Sequence, residues 1–165
     1  MRPDGAMSPD RERDELGRPR NARPRDALGR PLARGDSGVA GVADDLILSP
    51  DESLREAQRL LDEGHPFHAH EVLEAIWKSA PIDERDLWQG LAQLAVGLTH
   101  ALRGNNVGAA AVLRRGADHI SGYADARPHG VDVAGWLEWA RALAVQLDDP
   151  SNDVDPPTAP RLLGI

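Results

Sequence analysis

The sequence predicts an all-α protein, a compact array of about five helices in which antiparallel helical hairpins surround one buried central helix. Three observations support this fold class. Apolar side chains recur at helical spacing through five separate segments. Residues typical of helix starts and stops bound these segments. No stretch alternates β-branched and polar residues as a strand would.

The first helix is predicted to begin at Ser49. Its side chain can cap the helix, Pro50 suits the first helical position and Glu52 completes a capping box. Gly64 is expected to end this helix. The inner face carries an apolar stripe of Leu54, Ala57, Leu60 and Leu61.

The second helix is predicted to run from Pro66 to about Ser79. Only about two residues separate it from the first helix, so the two should pack as an antiparallel hairpin. The third helix is expected at about 82–103, opened by Pro81 and Asp83. Apolar residues cover most of its circumference, which indicates a buried central helix. Gly90 and Gly97 within it would allow neighbouring helices to approach closely.

A fourth helix should be capped by Asn105 or Asn106 and end at Ser121-Gly122, and a fifth should run from an Asp132 cap to about Leu147. The helical domain therefore spans about 44–148. Residues 1–43 are predicted to be a disordered or extended arm rich in Arg, Pro and Gly. Residues 149–165 are predicted to be a flexible tail rich in Pro and Asp, in which Leu162-Leu163 docks weakly.

Charge is distributed unevenly along the chain. Residues 1–35 carry nine Arg and six acidic residues, whereas residues 36–165 carry ten basic and twenty-one acidic residues. The acidic body makes a nucleic-acid-binding surface on the domain unlikely on electrostatic grounds. The Arg-rich arm contains Leu-Gly-Arg-Pro twice, at 16–19 and 28–31. It is interpreted as a solvated tail, with docking on an acidic partner, on RNA or on the domain's own acidic face as the alternative.

Composition also limits the classes of protein and site. The absence of Cys excludes disulfides and thiolate sites. No apolar run resembles a signal peptide or a membrane span, so a cytoplasmic location is expected. Eighteen of the nineteen basic residues are Arg, which is typical of a GC-rich bacterial genome.

The most informative residues are His70, Glu74 and Trp77. Spacings of four and three residues place an imidazole, a carboxylate and an indole on one helical face. On the third helix, Gln89, Gln93 and His100 also share a face. We expect the two faces to meet in a polar patch, with a pairing such as Glu74 to Gln93 or His70 to Gln89. Trp77 and Trp88 would form its walls.

His68 and Glu71 form a second pair, rotated well away from the first. One pair is expected inside the hairpin and the other at its rim. The shared face with Phe67 and Trp77 favours His70 and Glu74 as the inner pair.

Several chemistries fit this patch. A satisfied structural hydrogen-bond network is the favoured interpretation. A divalent metal held by His70, Glu74 and His100 is an alternative, because His and Glu four residues apart can reach one ion. Small-ligand binding and proton transfer by the His–Glu pair are further alternatives. No nucleophile accompanies the pair, and no complete cofactor motif is present.

The order of these residues resembles a known family. Phe67-His-Ala-His70-x-x-x-Glu74-x-x-Trp77 is followed by Trp88-Gln-Gly-Leu-x-Gln93 and by Arg103-Gly-Asn105 with Gly108-Ala. This set, over about residues 50–120, resembles the domain-of-unknown-function family numbered 309, which is compact, all-helical and found in bacteria and archaea. The resemblance implies a fold and places the family's signature at His70, Glu74 and Trp77. It implies no activity.

The favoured function is a non-catalytic binding or interaction module for an unknown protein or small-molecule partner. A small enzyme that uses His70 and Glu74, with a metal or by acid/base chemistry, is the first alternative. An RNA-associated protein that binds through its Arg-rich arm is the second. The sequence specifies no certain cofactor and no oligomeric state.

Overall fold

The computed structural model describes Leu28, Arg30, residues 48–151 and residues 154–163. The predicted all-α fold is confirmed over these residues, where the only β-type pairing is an isolated bridge between Val131 and Leu163. None of the helices there combines the length and hydropathy that a bilayer-spanning segment needs. The helices are α1 (Pro50–Asp62), α2 (Pro66–Ser79), α3 (Arg85–Leu102), α4 (Asn106–Ile120) and α5 (Val133–Asp148).

Side-chain caps begin three of the helices where the sequence predicts them. At α1, the Ser49 hydroxyl accepts from the Glu52 backbone N–H at 3.2 Å, and the Glu52 carboxylate accepts from the Ser49 N–H at 3.0 Å. Asn105 caps α4 and Asp132 caps α5, each by accepting an N–H three residues ahead. These bonds satisfy backbone donors that have no partner within their helix.

The third helix starts three residues later than predicted. Residues 82–84 form turns instead, and Ile82 is 88% exposed. The continuous burial of this helix begins only at Leu87, so the residues around Ile82 have no core contact to hold them in a helix. The helix therefore begins at Arg85, and its N-cap residue Glu84 makes no capping hydrogen bond through its side chain.

Helix α3 lies at the centre of the array, packed between α2 and α4. Ten of its residues are buried, as expected for a helix that is apolar on nearly all sides. Helix α1 packs on the outer side of α2, and α5 packs on α4. The chain thus stacks each helix on the one before it, with Gly64 and Gly104 in the left-handed conformation at two of the turns (φ +77° and +82°).

Glycine permits the close approach of α3 and α4. A Cβ atom at Gly90 would lie 2.8 Å from the Gly116 carbonyl oxygen and 2.5 Å from the Ile120 Cγ2 atom. A Cβ atom at Gly97 would lie 2.7 Å from Leu113 Cγ. The predicted role of Gly90 and Gly97 is therefore confirmed, and Gly116 on α4 contributes to the same contact.

The C-terminal segment packs on the helices more firmly than the sequence predicts. Leu162, expected to dock weakly, has no exposed surface. Its N–H donates to the Gln58 side-chain oxygen at 2.7 Å, and its carbonyl accepts from the Asp132 N–H at 2.9 Å. The Trp136 indole donates to the Arg161 carbonyl at 3.0 Å. These partners lie 25 to 104 residues away along the chain, so no local sequence pattern predicts these contacts.

The arm touches the domain where the Arg103 guanidinium donates to the Leu28 carbonyl. This contact involves the second Leu-Gly-Arg-Pro copy and the residue that follows α3. The first copy, at 16–19, lies outside the described residues, as does most of the arm that the sequence predicts to be disordered or extended.

The α3–α4 contact gives a stability prediction. A Gly90→Ala substitution should lower the free energy of unfolding by up to about 2 kcal/mol, because overpacking against a backbone carbonyl that cannot move aside cheaply costs about 1–3 kcal/mol. This cost exceeds the gain in helix propensity of about 1 kcal/mol. Urea denaturation followed by circular dichroism measures the change.

Gly122→Ala is the matched control, because a Cβ atom there meets nothing within 4 Å. It should leave the unfolding midpoint nearly unchanged. Equal midpoints for the Gly90→Ala variant and the unsubstituted protein would contradict the close approach of α3 and α4.

Candidate functional site

The centre of the candidate site is a His–Glu contact between residues one turn apart on α2. The His70 Nε2 atom lies 2.9 Å from the Glu74 Oε2 atom. The predicted helical spacing therefore brings these two groups into direct contact. The His70 side chain is 18% exposed and the Glu74 side chain 39% exposed, so the pair lies at the surface of the helix array.

Both ring nitrogens of His70 face oxygen acceptors. Nδ1 lies 3.0 Å from the Phe67 carbonyl oxygen, and Nε2 faces Glu74. A neutral imidazole carries one N–H, whereas the imidazolium carries two. Whichever ring nitrogen carries a hydrogen therefore has an oxygen acceptor in front of it. The Phe67 carbonyl and the Phe67 ring, centred 5.2 Å from the imidazole, hold the ring of His70 in place.

Trp77 continues the same face of α2 toward its C-terminal end. Its ring is half-buried and packs against the core. The Arg85 guanidinium lies over this ring, 5.8 Å from the centroid, at the distance of a cation–π contact. On the same side the Lys78 ammonium lies 3.7 Å from the second carboxylate oxygen of Glu74. His70, Glu74 and Trp77 thus form a continuous surface, which we call the α2 ridge.

The predicted inner and rim positions on α2 are reversed. His68, expected at the rim, has no exposed surface, whereas His70 and Glu74 are partly exposed. The reason is the rotation of α2, which buries the stripe Ala69, Val72, Leu73 and Ile76. His68 lies four residues before Val72 and so lines up with buried positions. Its ring packs edge-on against those of His65 and Phe67, and Glu71 is half-buried.

The polar residues of α3 share a face, as predicted, but they do not join the α2 pair in a network. Gln89, Gln93 and His100 are half-buried. Within the described residues, no hydrogen bond links Glu74 to Gln93 or His70 to Gln89, because the two polar groups of α2 bond to each other instead. The side-chain oxygen of Gln93 is buried and accepts no hydrogen bond from a described protein group.

His100 lies at the last turn of α3, beside the loop to α4. The side-chain oxygen of Asn105 accepts from the Gly108 N–H as a helix cap, and this orients its amide nitrogen toward His100 Nδ1 at 3.3 Å. An amide N–H donates, so Nδ1 must accept, and the contact favours the neutral imidazole. Burial lowers the pKa of His100, and the nearby charge of Arg103 lowers it further.

The three residues predicted as metal ligands are not gathered at one point. In the described part of the chain, no three His, Asp or Glu side chains form a group that could hold an ion. His70 and Glu74 meet, but His100 bonds to the α4 cap residue Asn105. His70, Glu74 and His100 therefore do not form the predicted three-ligand set.

Sequence reasoning missed a second polar cluster, at the start of α3. Trp88, predicted to wall the α2–α3 patch, is buried, and its ring centre lies 5.6 Å from that of His129. His129 Nε2 bonds to Glu84, and the Tyr123 hydroxyl donates to the Asp83 carbonyl at 2.7 Å. Burial raises the pKa of Tyr123. His129 adopts φ +55°, an uncommon conformation for a residue with a side chain. Its flanking Pro128 and Gly130 are the only local signal of this turn.

Two surface clefts lie away from the α2 ridge. One, of about 390 Å³, lies between α1 and the C-terminal segment. The other, of about 590 Å³, lies between α5 and residues 154–158. Neither is lined by His70, Glu74 or Trp77, so the ridge is a separate feature of the surface.

Comparison with known proteins finds a match in the central part of the chain. The family model named Domain of unknown function (DUF309) matches residues 54–112, from α1 into the first half of α4. The match contains the whole α2 ridge and the polar face of α3, and it confirms the family resemblance predicted from the sequence. Among curated proteins and solved structures, no significant match was found.

The environment of His100 gives a pH prediction. Because its pKa is lower in the folded than in the unfolded state, only the unfolded chain gains a proton as the pH falls through about 6.5. Titration of His100 therefore lowers the free energy of unfolding below a pH of about 6.5 and has no effect on it well above that pH. The unfolding free energy of a His100→Gln variant minus that of the unsubstituted protein should therefore increase as the pH falls from 8 to 5. The increase should be less than about 1.4 kcal/mol per pH unit.

Urea denaturation of both proteins at several pH values measures this difference. Gln can still accept the Asn105 amide, so the variant tests titration rather than loss of the contact. Stability curves that stay parallel from pH 8 to 5 would contradict a lowered pKa at His100.

Proposed function

We propose that this DUF309 domain is a binding module that recognises a cationic segment of a protein partner through the α2 ridge of His70, Glu74 and Trp77. The observation that carries the proposal is the position of the Glu74 carboxylate. One oxygen is held by His70 at 2.9 Å, while the other has only a 3.7 Å contact with the exposed Lys78. A fixed, partly exposed carboxylate is suited to accept hydrogen bonds from an incoming cation.

The bond from His70 prepares Glu74 for binding. A free glutamate must lose rotamer freedom when it binds, which opposes association. The contact with His70, whose own ring is held by the Phe67 carbonyl, restricts the carboxylate before a ligand arrives. Guanidinium groups bind carboxylates through strong charge-assisted hydrogen bonds, so Arg is the preferred ligand residue.

Trp77 adds an aromatic surface one turn away from Glu74. An indole face attracts cations, and this ring already receives the Arg85 guanidinium at 5.8 Å. The arrangement suits a ligand with one cationic group at Glu74 and an adjacent side chain on the indole. Because the ridge lies on one helix and the Glu74 side chain is 39% exposed, the ridge is better suited to a partner surface than to an enclosed small substrate.

Long-range charge supports the same class of ligand. Residues 36–165 carry eleven more acidic than basic residues (twenty-one against ten), so the body attracts cationic partners. The arm of the same chain is cationic, and the Leu28 carbonyl already contacts Arg103. We therefore expect the arm to compete with a partner in cis and binding to weaken as salt screens the charges.

A Glu74→Gln substitution tests the proposal. The probe is a synthetic peptide of residues 17–35, which carries six Arg and one Asp. Titrated into the full-length protein at low salt, it should shift the Trp77 indole N–H resonance. The variant should bind about tenfold more weakly, because a charge-assisted hydrogen bond is lost. Its melting temperature should change little, because an exposed pair one turn apart contributes less than about 1 kcal/mol.

Glu138→Gln is the matched control. Glu138 is exposed on α5, so this substitution removes the same charge at a position away from the ridge. This variant should bind the peptide almost as well as the unsubstituted protein. Equal weakening in both variants would attribute binding to overall acidity and would reject the α2 ridge as the site.

Acid/base or metal chemistry at His70 is a second candidate function, supported by the direct contact between Nε2 and the Glu74 carboxylate. Elemental analysis of protein purified without an affinity tag separates it from the first. The binding-module proposal predicts no stoichiometric metal. Stoichiometric metal that is lost in a His70→Ala variant would support the metal-dependent alternative instead. The RNA alternative concerns the arm, of which only Leu28 and Arg30 are described.

A further inference from the structure

The cleft of about 390 Å³ between α1 and the C-terminal segment has the size of a small-molecule site. Arg55, Gln58 and Arg59 of α1 line one wall, and Arg161 and Leu163 line the other. Leu54, which has no exposed surface, contributes to the apolar part of the lining. No residue of the α2 ridge lines this cleft, so binding here does not depend on the proposed function.

Two hydrogen bonds to the peptide unit between Arg161 and Leu162 fix the backbone of one wall of the cleft. The Gln58 side-chain oxygen accepts from the Leu162 N–H at 2.7 Å and so ties the segment to α1. The Trp136 indole donates to the Arg161 carbonyl at 3.0 Å. The backbone that carries Arg161 is thereby positioned, and a ligand would not have to order it.

The acidic side chains that line the cleft already have partners. Glu63 accepts from Arg59 at 2.9 Å, and Arg59 also binds Glu56. Asp62 accepts from the Gln58 amide at 2.7 Å. Arg59 is thus paired with two carboxylates, and Asp62 bonds to a neutral amide on the same helix.

Arg55 and Arg161 differ from Arg59 in this respect. Within the described residues, neither guanidinium has an acidic partner, although the body as a whole is strongly acidic. By contrast, Arg114 on α4 is paired with Asp148. Two unneutralised guanidinium groups at one cleft provide up to ten N–H donors, which is the donor type that carboxylates and phosphates prefer.

We infer that this cleft binds a small organic anion, with its oxyanion head between Arg55 and Arg161 and its apolar portion on Leu54 and Leu163. The charges of the two arginines select for the head group. The apolar lining distinguishes an organic anion from an inorganic one, because each methylene that leaves water strengthens binding several-fold.

The test is a titration of the full-length protein at low salt, followed by amide chemical shifts. The probes are hexanoate, acetate and hexyl phosphate. Hexanoate should bind more tightly than acetate, and the shifts should centre on Arg55 and Arg161. The ratio of hexyl phosphate to hexanoate affinity identifies which oxyanion the two arginines prefer. Failure of all three probes to bind would overturn the inference.

Arg55→Gln and Arg161→Gln should each weaken hexanoate binding by about tenfold, because each removes charge-assisted hydrogen bonds. Arg141→Gln is the matched control, since Arg141 is exposed on α5 and does not line the cleft. Equal weakening in all three variants, or equal affinity for acetate and hexanoate, would also overturn the inference. Both cleft arginines are exposed, so circular dichroism should show unchanged folding.

Discussion

The packing of α3 between α2 and α4 is the constraint on which the rest of the structure depends. On the α4 side, glycines 90, 97 and 116 allow the two backbones to approach closely. On the α2 side, the aliphatic stripe from Ala69 to Ile76 is buried. Both contacts fix the rotation of the helices about their own axes. Once α2 buries this stripe, His70, Glu74 and Trp77 must lie on its flank, where solvent reaches them.

The position on the flank decides which hydrogen bonds the His–Glu pair needs. Enclosed between two helices, the pair would require a complete hydrogen-bond network to offset its loss of hydration. At the rim it needs no such network, and it contributes little to stability. The proposed contact with a ligand gives a reason for a pair that contributes little to folding. The neighbouring indole and the acidic body favour a cationic ligand.

The two proposed sites have opposite charge and different construction. The α2 ridge is an open surface on a single helix, and its acidic centre is held by contacts within that helix. The cleft beside α1 depends on the C-terminal segment, which lies outside the family match. The ridge thus belongs to the part of the chain that matches the family model. The complete cleft needs Arg161 and Leu163, which follow this part.

Sequence by itself determined the five helices, the caps of α1, α4 and α5 and the central place of α3, because these follow from local spacing and from interactions within three or four residues. It also brought His70 to Glu74, since one helical turn separates them. Tertiary structure alone decided which flank of α2 is buried, and so reversed the predicted positions of His68 and His70. It also decided the contact of His129 with Trp88 and the burial of Leu162. The reason is physical: these contacts join residues far apart in the chain, and helical periodicity carries no information about which distant partner fills a given surface.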